Sequence, residues 1–143
     1  MKYTVAATAA LFALAAPAFA EGDAAKGEKE FNKCKSCHMI VSDADETIVK
    51  GGKVGPNLWG VVGRTAGSVE GFKYGDGLTA AQEAGFVWTA EEIAKYVVDP
   101  KEWNNEHGFP AKTKMTFKLK KGGEDVAAYL ATFSAAGEEA ATN

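Results

Sequence analysis

The residues best suited to chemistry are Cys34-Lys35-Ser36-Cys37-His38. Two cysteines three apart on a helical turn point the same way, so both thiols reach one edge of a flat ring. The histidine that follows is carried under the centre of that ring. This C-x-x-C-H spacing supports covalent attachment of a c-type haem, with two thioether bonds to vinyl groups and one imidazole on the iron. Three other readings compete. A redox dithiol belongs in a βαβ pattern, and the sequence shows none. A zinc site needs four ligands, and beyond Cys34, Cys37 and His38 only His107 and carboxylates remain. A disulfide between cysteines this close would close a very small loop and stabilise little.

Iron bound by His38 has one axial position left, and its occupant separates electron transfer from ligand chemistry. The chain has three methionines. Met1 belongs to a leader segment, and Met39 adjoins His38, so it starts on the wrong side of the ring and reads as a packing residue. Met115 lies in an irregular stretch that is free to fold over the opposite face. His107 is the rival and would give a bis-histidine centre of lower potential. It sits between Glu106 and Gly108 in a polar stretch, where a solvated side chain is the ordinary expectation. The reading favours Met115, because a soft thioether favours ferrous iron and raises the reduction potential. With both axial positions filled, no site is open to oxygen or peroxide, so the protein would carry single electrons and would not be an enzyme. The alternative is a gas-binding or peroxidase-like haem protein with a labile Met115.

The chain opens with Met1-Lys2, an apolar run from Val5 to Ala16, and then Pro17-Ala18-Phe19-Ala20. A positive start, an apolar stretch of about a dozen residues and an A-x-A site predict a secretory signal peptide over 1–20, cleaved after Ala20. The run is shorter than the ~20 apolar residues a spanning helix needs. A soluble, exported, periplasmic protein is therefore expected. The 16 basic and 19 acidic residues give a net charge of −3, and loss of Lys2 with the leader makes the remainder one unit more negative. The length suits a single domain over 21–133, followed by a flexible tail over 134–143. With both cysteines spent on haem, a large apolar cofactor supplies the core that a short, glycine-rich chain otherwise lacks.

The elements that must position these groups read as all-α. Asp23 is a good N-cap for a helix from Ala24 to Lys33, with Ala24, Gly27, Phe31 and Cys34 on one face. Gly27 inside it costs about 1 kcal/mol against Ala; either another helix crosses there closely, or the glycine is merely accommodated. From Met39 to Gly77 no helical period persists and there are nine glycines. So long a loop makes sense if the backbone wraps a rigid ring. Within it, Gly55-Pro56-Asn57-Leu58-Trp59-Gly60 is a tight turn, and Arg64 supplies a cation for the haem propionates.

A short helix is predicted over Thr79 to Ala84, ending at Gly85. Thr89-Ala90-Glu91-Glu92 is a capping box that starts a helix with Ile93, Tyr96 and Val97 inward. Asp99-Pro100 stops it. Residues 101–121 read as irregular, strand signals are weak, and the last helix is expected from Glu124 to Phe133 on the stripe Val126, Tyr129, Leu130 and Phe133.

With these residues in place, the sequence resembles the class I cytochromes c, and within them the bacterial periplasmic cytochrome c2 branch. The resemblance spans about Gly22 to Phe133. It is carried by Gly22 to Phe31, Cys34 to His38, Gly55 to Thr65, Lys112 to Lys118 and Glu124 to Leu130. It implies the cytochrome c fold, with short helices and long loops around one covalent haem c attached through Cys34 and Cys37. It also implies His38 and Met115 as the axial pair, with the Pro56 carbonyl accepting from the His38 ring N–H. Tyr74, Trp88, Arg64 and Thr113 resemble the family's propionate partners, and Tyr96 the tyrosine that bonds the methionine sulfur. Gly27 and Phe31 would meet Tyr129 where the first and last helices cross. Trp59 stands where this branch usually has tyrosine, which predicts a small shift in propionate contacts. The segment from Trp103 to Pro110 fits the pattern poorly.

Residues 111–123 carry Lys112, Lys114, Lys118, Lys120 and Lys121 and no acid. Lys35, Lys50, Lys53 and Lys73 are candidates to join them around the haem edge, while acids such as Glu138 and Glu139 gather elsewhere. A net-acidic protein with one basic face docks acidic partners by orientation. Nucleic acid is not expected at this charge. The resemblance implies a cytochrome bc1 complex as electron donor, and a reaction centre, terminal oxidase or denitrification reductase as acceptor, met by a monomer in brief encounters.

Overall fold

Asp23 opens the first helix by accepting from the backbone N–H groups of Ala25 and Lys26 at 2.9 and 3.1 Å. The computed structural model describes residues 22–134. The expected leader, and all of the expected tail beyond Ser134, lie outside the described residues. Ser134 itself is buried and donates to the Ala131 carbonyl at 2.7 Å. Helix α1 runs Ala24–Glu30 and tightens into a 3-10 turn at Phe31–Lys33. That tightening delivers Cys34 to the start of the C-x-x-C-H turn, which is closed by His38 N–H to Cys34 O at 2.9 Å.

Helix α1 crosses the C-terminal helix α5, Gly123–Ala131. A methyl on Gly27 would overlap the Asp125 carbonyl, so close crossing, not accommodation, explains this glycine. Phe31 packs on Tyr129 with ring centroids 5.6 Å apart, and the Asp23 N–H donates to the Asp125 carboxylate at 2.7 Å. Helix α3, Ala90–Val98, packs on α5 as well. Its inward residues Ile93, Tyr96 and Val97 and the α5 stripe Val126, Tyr129 and Leu130 are buried, as their spacing predicts.

The structure differs from the sequence expectation in four places. A two-stranded antiparallel hairpin, β1 Ile40–Val41 and β2 Thr47–Val49, follows the haem motif. It is too short to produce alternation, and the Asn57 side chain brackets Val41, accepting from its N–H at 3.0 Å and donating to its carbonyl at 2.8 Å. Helix α2 begins at Asp76 and not at Thr79, because glycine occupies its N-cap and leaves no side-chain signal. Helix α5 ends at Ala131, two residues before the expected Phe133. Most consequential, the stretch expected to be irregular holds helix α4, Pro100–Glu106. Pro100 ends α3 and also serves as the first residue of α4, where its missing N–H costs nothing. Asp99 caps the new helix by accepting from Glu102 N–H at 3.1 Å.

Candidate functional site

One cavity collects Cys34, Cys37, His38, Arg64, Tyr74, Trp88, Tyr96, Thr113 and Met115, with Pro56 also in its wall. The residues that the sequence reading favours for cofactor contact all lie on it. His107 and Trp59 do not line it. The four long-separated segments reach it by identifiable means.

The C-x-x-C-H turn is set by the end of α1. The His38 ring is fixed by Nδ1, 2.8 Å from the Pro56 carbonyl. Burial lowers the proton affinity of this imidazole, opposed by that hydrogen bond. The neutral ring therefore keeps Nε2 as a free donor of its lone pair. Pro56 is held in turn by Asn57, whose Oδ1 also accepts from Trp59 N–H at 3.1 Å. Asn57 was not singled out in the sequence as a functional residue, although it is the hub of the Gly-Pro-Asn turn.

Arg64 is half-buried, and one guanidinium nitrogen donates to the carbonyls of Asn57 and Trp59 at 3.1 and 3.0 Å. Desolvation lowers its pKa. It has no carboxylate partner among the described residues. Trp88 is brought beside it by a short ladder, with Gly63 N–H to Trp88 O at 2.7 Å and Trp88 N–H to Arg64 O at 2.9 Å. The Tyr74 hydroxyl accepts from Val69 N–H at 3.1 Å, which leaves its own proton to donate. Trp59 is turned away, its ring against Phe133 at 5.8 Å.

Met115 arrives on a loop secured at several points. Thr113 Oγ1 accepts from Met115 N–H at 3.1 Å and lies 3.4 Å from the Tyr96 hydroxyl. Gly77 N–H donates to Lys112 O at 3.0 Å, and Leu119 N–H to Val97 O at 2.7 Å. The apolar side chains Val54 and Phe117 line the same cavity and are 76% and 43% exposed, so they mark its mouth.

The donor set and the cavity fit a haem. Gly55 lies so close to the His38 ring that a methyl there would overlap it, so the wall is shaped to a fixed imidazole. Burial pushes the Cys34 thiol up to about 11, helped by the Glu30 carboxylate. A redox or metal-binding thiolate requires the opposite shift. A thiol consumed in a thioether has no such requirement. A half-buried cation without a counter-ion suits anionic propionates.

His107 is the clearest departure from expectation. Its Nδ1 lies 2.8 Å from the Trp103 carbonyl, its Nε2 lies 3.1 Å from the Glu92 carboxylate, and its ring stacks on Trp103 at 4.0 Å. It is therefore held by protein contacts, with 24% of its side chain left exposed. Trp103, 1% exposed, is the centre of the aromatic core and was invisible as such in the sequence. The basic residues behave unequally. Lys112 pairs with Asp76 at 3.1 Å and Lys118 with Asp99 at 2.6 Å, whereas Lys120 and Lys121 have no acidic partner among the described residues.

The chain is 62% identical over 129 residues to cytochrome c2 of Rhodobacter capsulatus, covering 89% of this chain and 93% of that protein. It is 57% identical over 136 residues to cytochrome c-551 of Roseobacter denitrificans, covering 94% and 97%. The solved structure of the Rhodobacter capsulatus cytochrome c2 aligns with a TM-score of 0.75 at 61% identity, over 78% of this chain and 97% of that one. Ferric cytochrome c-550 from Paracoccus versutus aligns at 0.75 and 59% identity, over 80% and 99%. No protein-family model matches the chain. Fold and cavity together define a class I c-type cytochrome. The chain belongs to the cytochrome c2 family, electron carriers with one covalently bound haem c.

Proposed function

We propose that this protein is a soluble periplasmic shuttle, taking single electrons from a cytochrome bc1 complex and passing them to a reaction centre, terminal oxidase or denitrification reductase. It transforms no substrate. The observation that carries this reading is the shared cavity of Cys34, Cys37, His38 and Met115. There Cys34 and Cys37 would hold a haem c through thioethers, and His38 and Met115 would supply the two protein ligands to its iron. The bound haem supplies a one-electron change between ferric and ferrous iron.

The residues around it hold that centre in place. Pro56 keeps the His38 hydrogen on Nδ1, which would leave the Nε2 lone pair for iron, and the bond would raise the basicity of that ligand. Arg64, Tyr74, Trp88 and Thr113 supply the donors for the propionates. Tyr96, which the family resemblance assigns to the methionine sulfur, also supports the Met115 loop through Thr113. Val54 and Phe117 give partners an apolar contact at the mouth, and Lys112, Lys114, Lys118, Lys120 and Lys121 orient the encounter. Residues 1–20 are a cleaved export signal, 21–133 the cytochrome domain with Ser134 packed at its end, and the remainder a tail. Among the described residues no helix is long and apolar enough to cross a membrane.

The visible and near-infrared spectra of the purified protein test the ligand set. The wild type is expected to be low-spin with a thioether-to-iron band. Met115→Leu is expected to lose that band and lower the potential, since a bound thioether favours ferrous iron. An unchanged low-spin spectrum in the variant would overturn the assignment of Met115.

A further inference from the structure

Glu92 reads in the sequence as the return half of a capping box, and the structure uses it otherwise. Thr89 Oγ1 accepts from Glu92 N–H at 3.1 Å, but the Glu92 carboxylate turns toward α4. Its Oε2 accepts from Trp103 Nε1–H at 2.8 Å and lies 3.1 Å from His107 Nε2. The other ring nitrogen of His107, Nδ1, lies 2.8 Å from the Trp103 carbonyl. A carbonyl only accepts, so Nδ1 carries a hydrogen. Glu92 Oε2 lies at ion-pair distance from Nε2, so a proton on Nε2 would make His107 the cation that pairs with it. One exchangeable proton on His107 thus decides whether Glu92 has a charged partner on α4.

We propose that this pair is a proton-binding clamp linked to the electron on the haem, acting through Trp103. Trp103 stacks on His107 and meets Trp88 and Tyr96 with ring centroids 5.0 and 5.4 Å apart. Both of those side chains line the haem cavity. With the proton bound, the two charges of the pair cancel. Without it, a lone pair faces an anion, and Glu92 adds a net negative charge behind the cavity wall. Negative charge disfavours the electron, so reduction raises the affinity for the proton and the proton raises the affinity for the electron. The proton comes from water; no bond between heavy atoms forms or breaks, and the electron comes from the redox partner.

The charged groups around the pair are few. On α3, Lys95 Nζ lies 3.6 Å from Glu92 Oε1 and 2.6 Å from Glu91 Oε1. On α4, Glu102 bonds Asn105, and Glu106 is exposed. Phe86 and Phe109, which carry no charge, lie against His107 with ring centroids at 5.3 and 6.1 Å, and 24% of its side chain stays exposed.

This inference rests on the electron-carrier reading, but its test is separate from that of the axial ligands. The potential of the haem-loaded protein is measured from about pH 5 to about pH 9, for the wild type, His107→Gln and Glu92→Gln. Nitrogen NMR follows the His107 ring in both oxidation states. The potential is expected to fall with rising pH through one step, the step to vanish in His107→Gln, and in Glu92→Gln to move to lower pH. The His107 ring is expected to titrate at higher pH in the reduced state than in the oxidised state. A step that persists in His107→Gln, or a ring that titrates identically in both states, would overturn the linkage. Loss of Met115 ligation would show instead in the thioether band.

Discussion

His38 Nδ1 and the Pro56 carbonyl stand 2.8 Å apart, and Asn57 holds that carbonyl in place by binding Val41 through both ends of its amide. The imidazole is thus oriented by a turn that is anchored to β1. Asn57→Ala removes the bracket and leaves the Val41 backbone groups to find water. A loss of about 2 kcal/mol in unfolding free energy is expected for such part-buried bonds, measured by urea denaturation of the haem-loaded protein. Asn57→Asp keeps the acceptor for Val41 N–H and loses the donor, so it should fall between the two.

At Gly27 two effects oppose each other. Alanine would favour the helix by about 1 kcal/mol, whereas overlap with the Asp125 backbone costs about 1–3 kcal/mol when a packed contact must open. The steric term is larger, so Gly27→Ala should lower the thermal midpoint. A raised midpoint would mean that α1 and α5 cross less closely than the structure shows.

The lysines should not contribute equally to docking. Lys112 and Lys118 are partly neutralised by Asp76 and Asp99, while Lys120 and Lys121 are free of acids among the described residues. Neutralising Lys120 and Lys121 together to Gln should slow association with an acidic redox partner by about tenfold at low salt. The same change at Lys112 and Lys118 should do less. Stopped-flow rates across a range of ionic strength measure both, and equal effects would remove the distinction.

Asp99 links stability to acid. The Lys118 hydrogen bond, then the Glu102 N–H, holds its carboxyl below the ordinary range. An unfolded aspartate titrates near ~3.9, so the folded group contributes fully above that pH and loses its contribution as pH falls through its lower folded value. Asp99→Asn keeps a competent cap for α4 but removes the charge. Acid unfolding followed by circular dichroism should therefore show a smaller loss of stability below about pH 4 in the variant.

The order of residues along the chain is enough to reveal the haem attachment motif, the α1 cap, the start of α3 and the apolar stripes of α3 and α5. Those signals are local: a side chain caps its own helix, and a stripe repeats within a few turns. The tight spacing of Cys34, Cys37 and His38 is likewise a property of one turn. Only packing shows that Gly27 is a crossing point, that Asn57 acts as a surrogate strand for Val41, and that Trp103 and Glu92 hold His107. It also showed that Pro100 begins a helix in the act of ending one. Glu92 captures the physical reason: its spacing from Thr89 predicts a cap, yet its carboxylate finds a buried indole and an imidazole 11 and 15 residues away. A partner brought by folding competes with the local one, and periodicity in the chain carries no record of it.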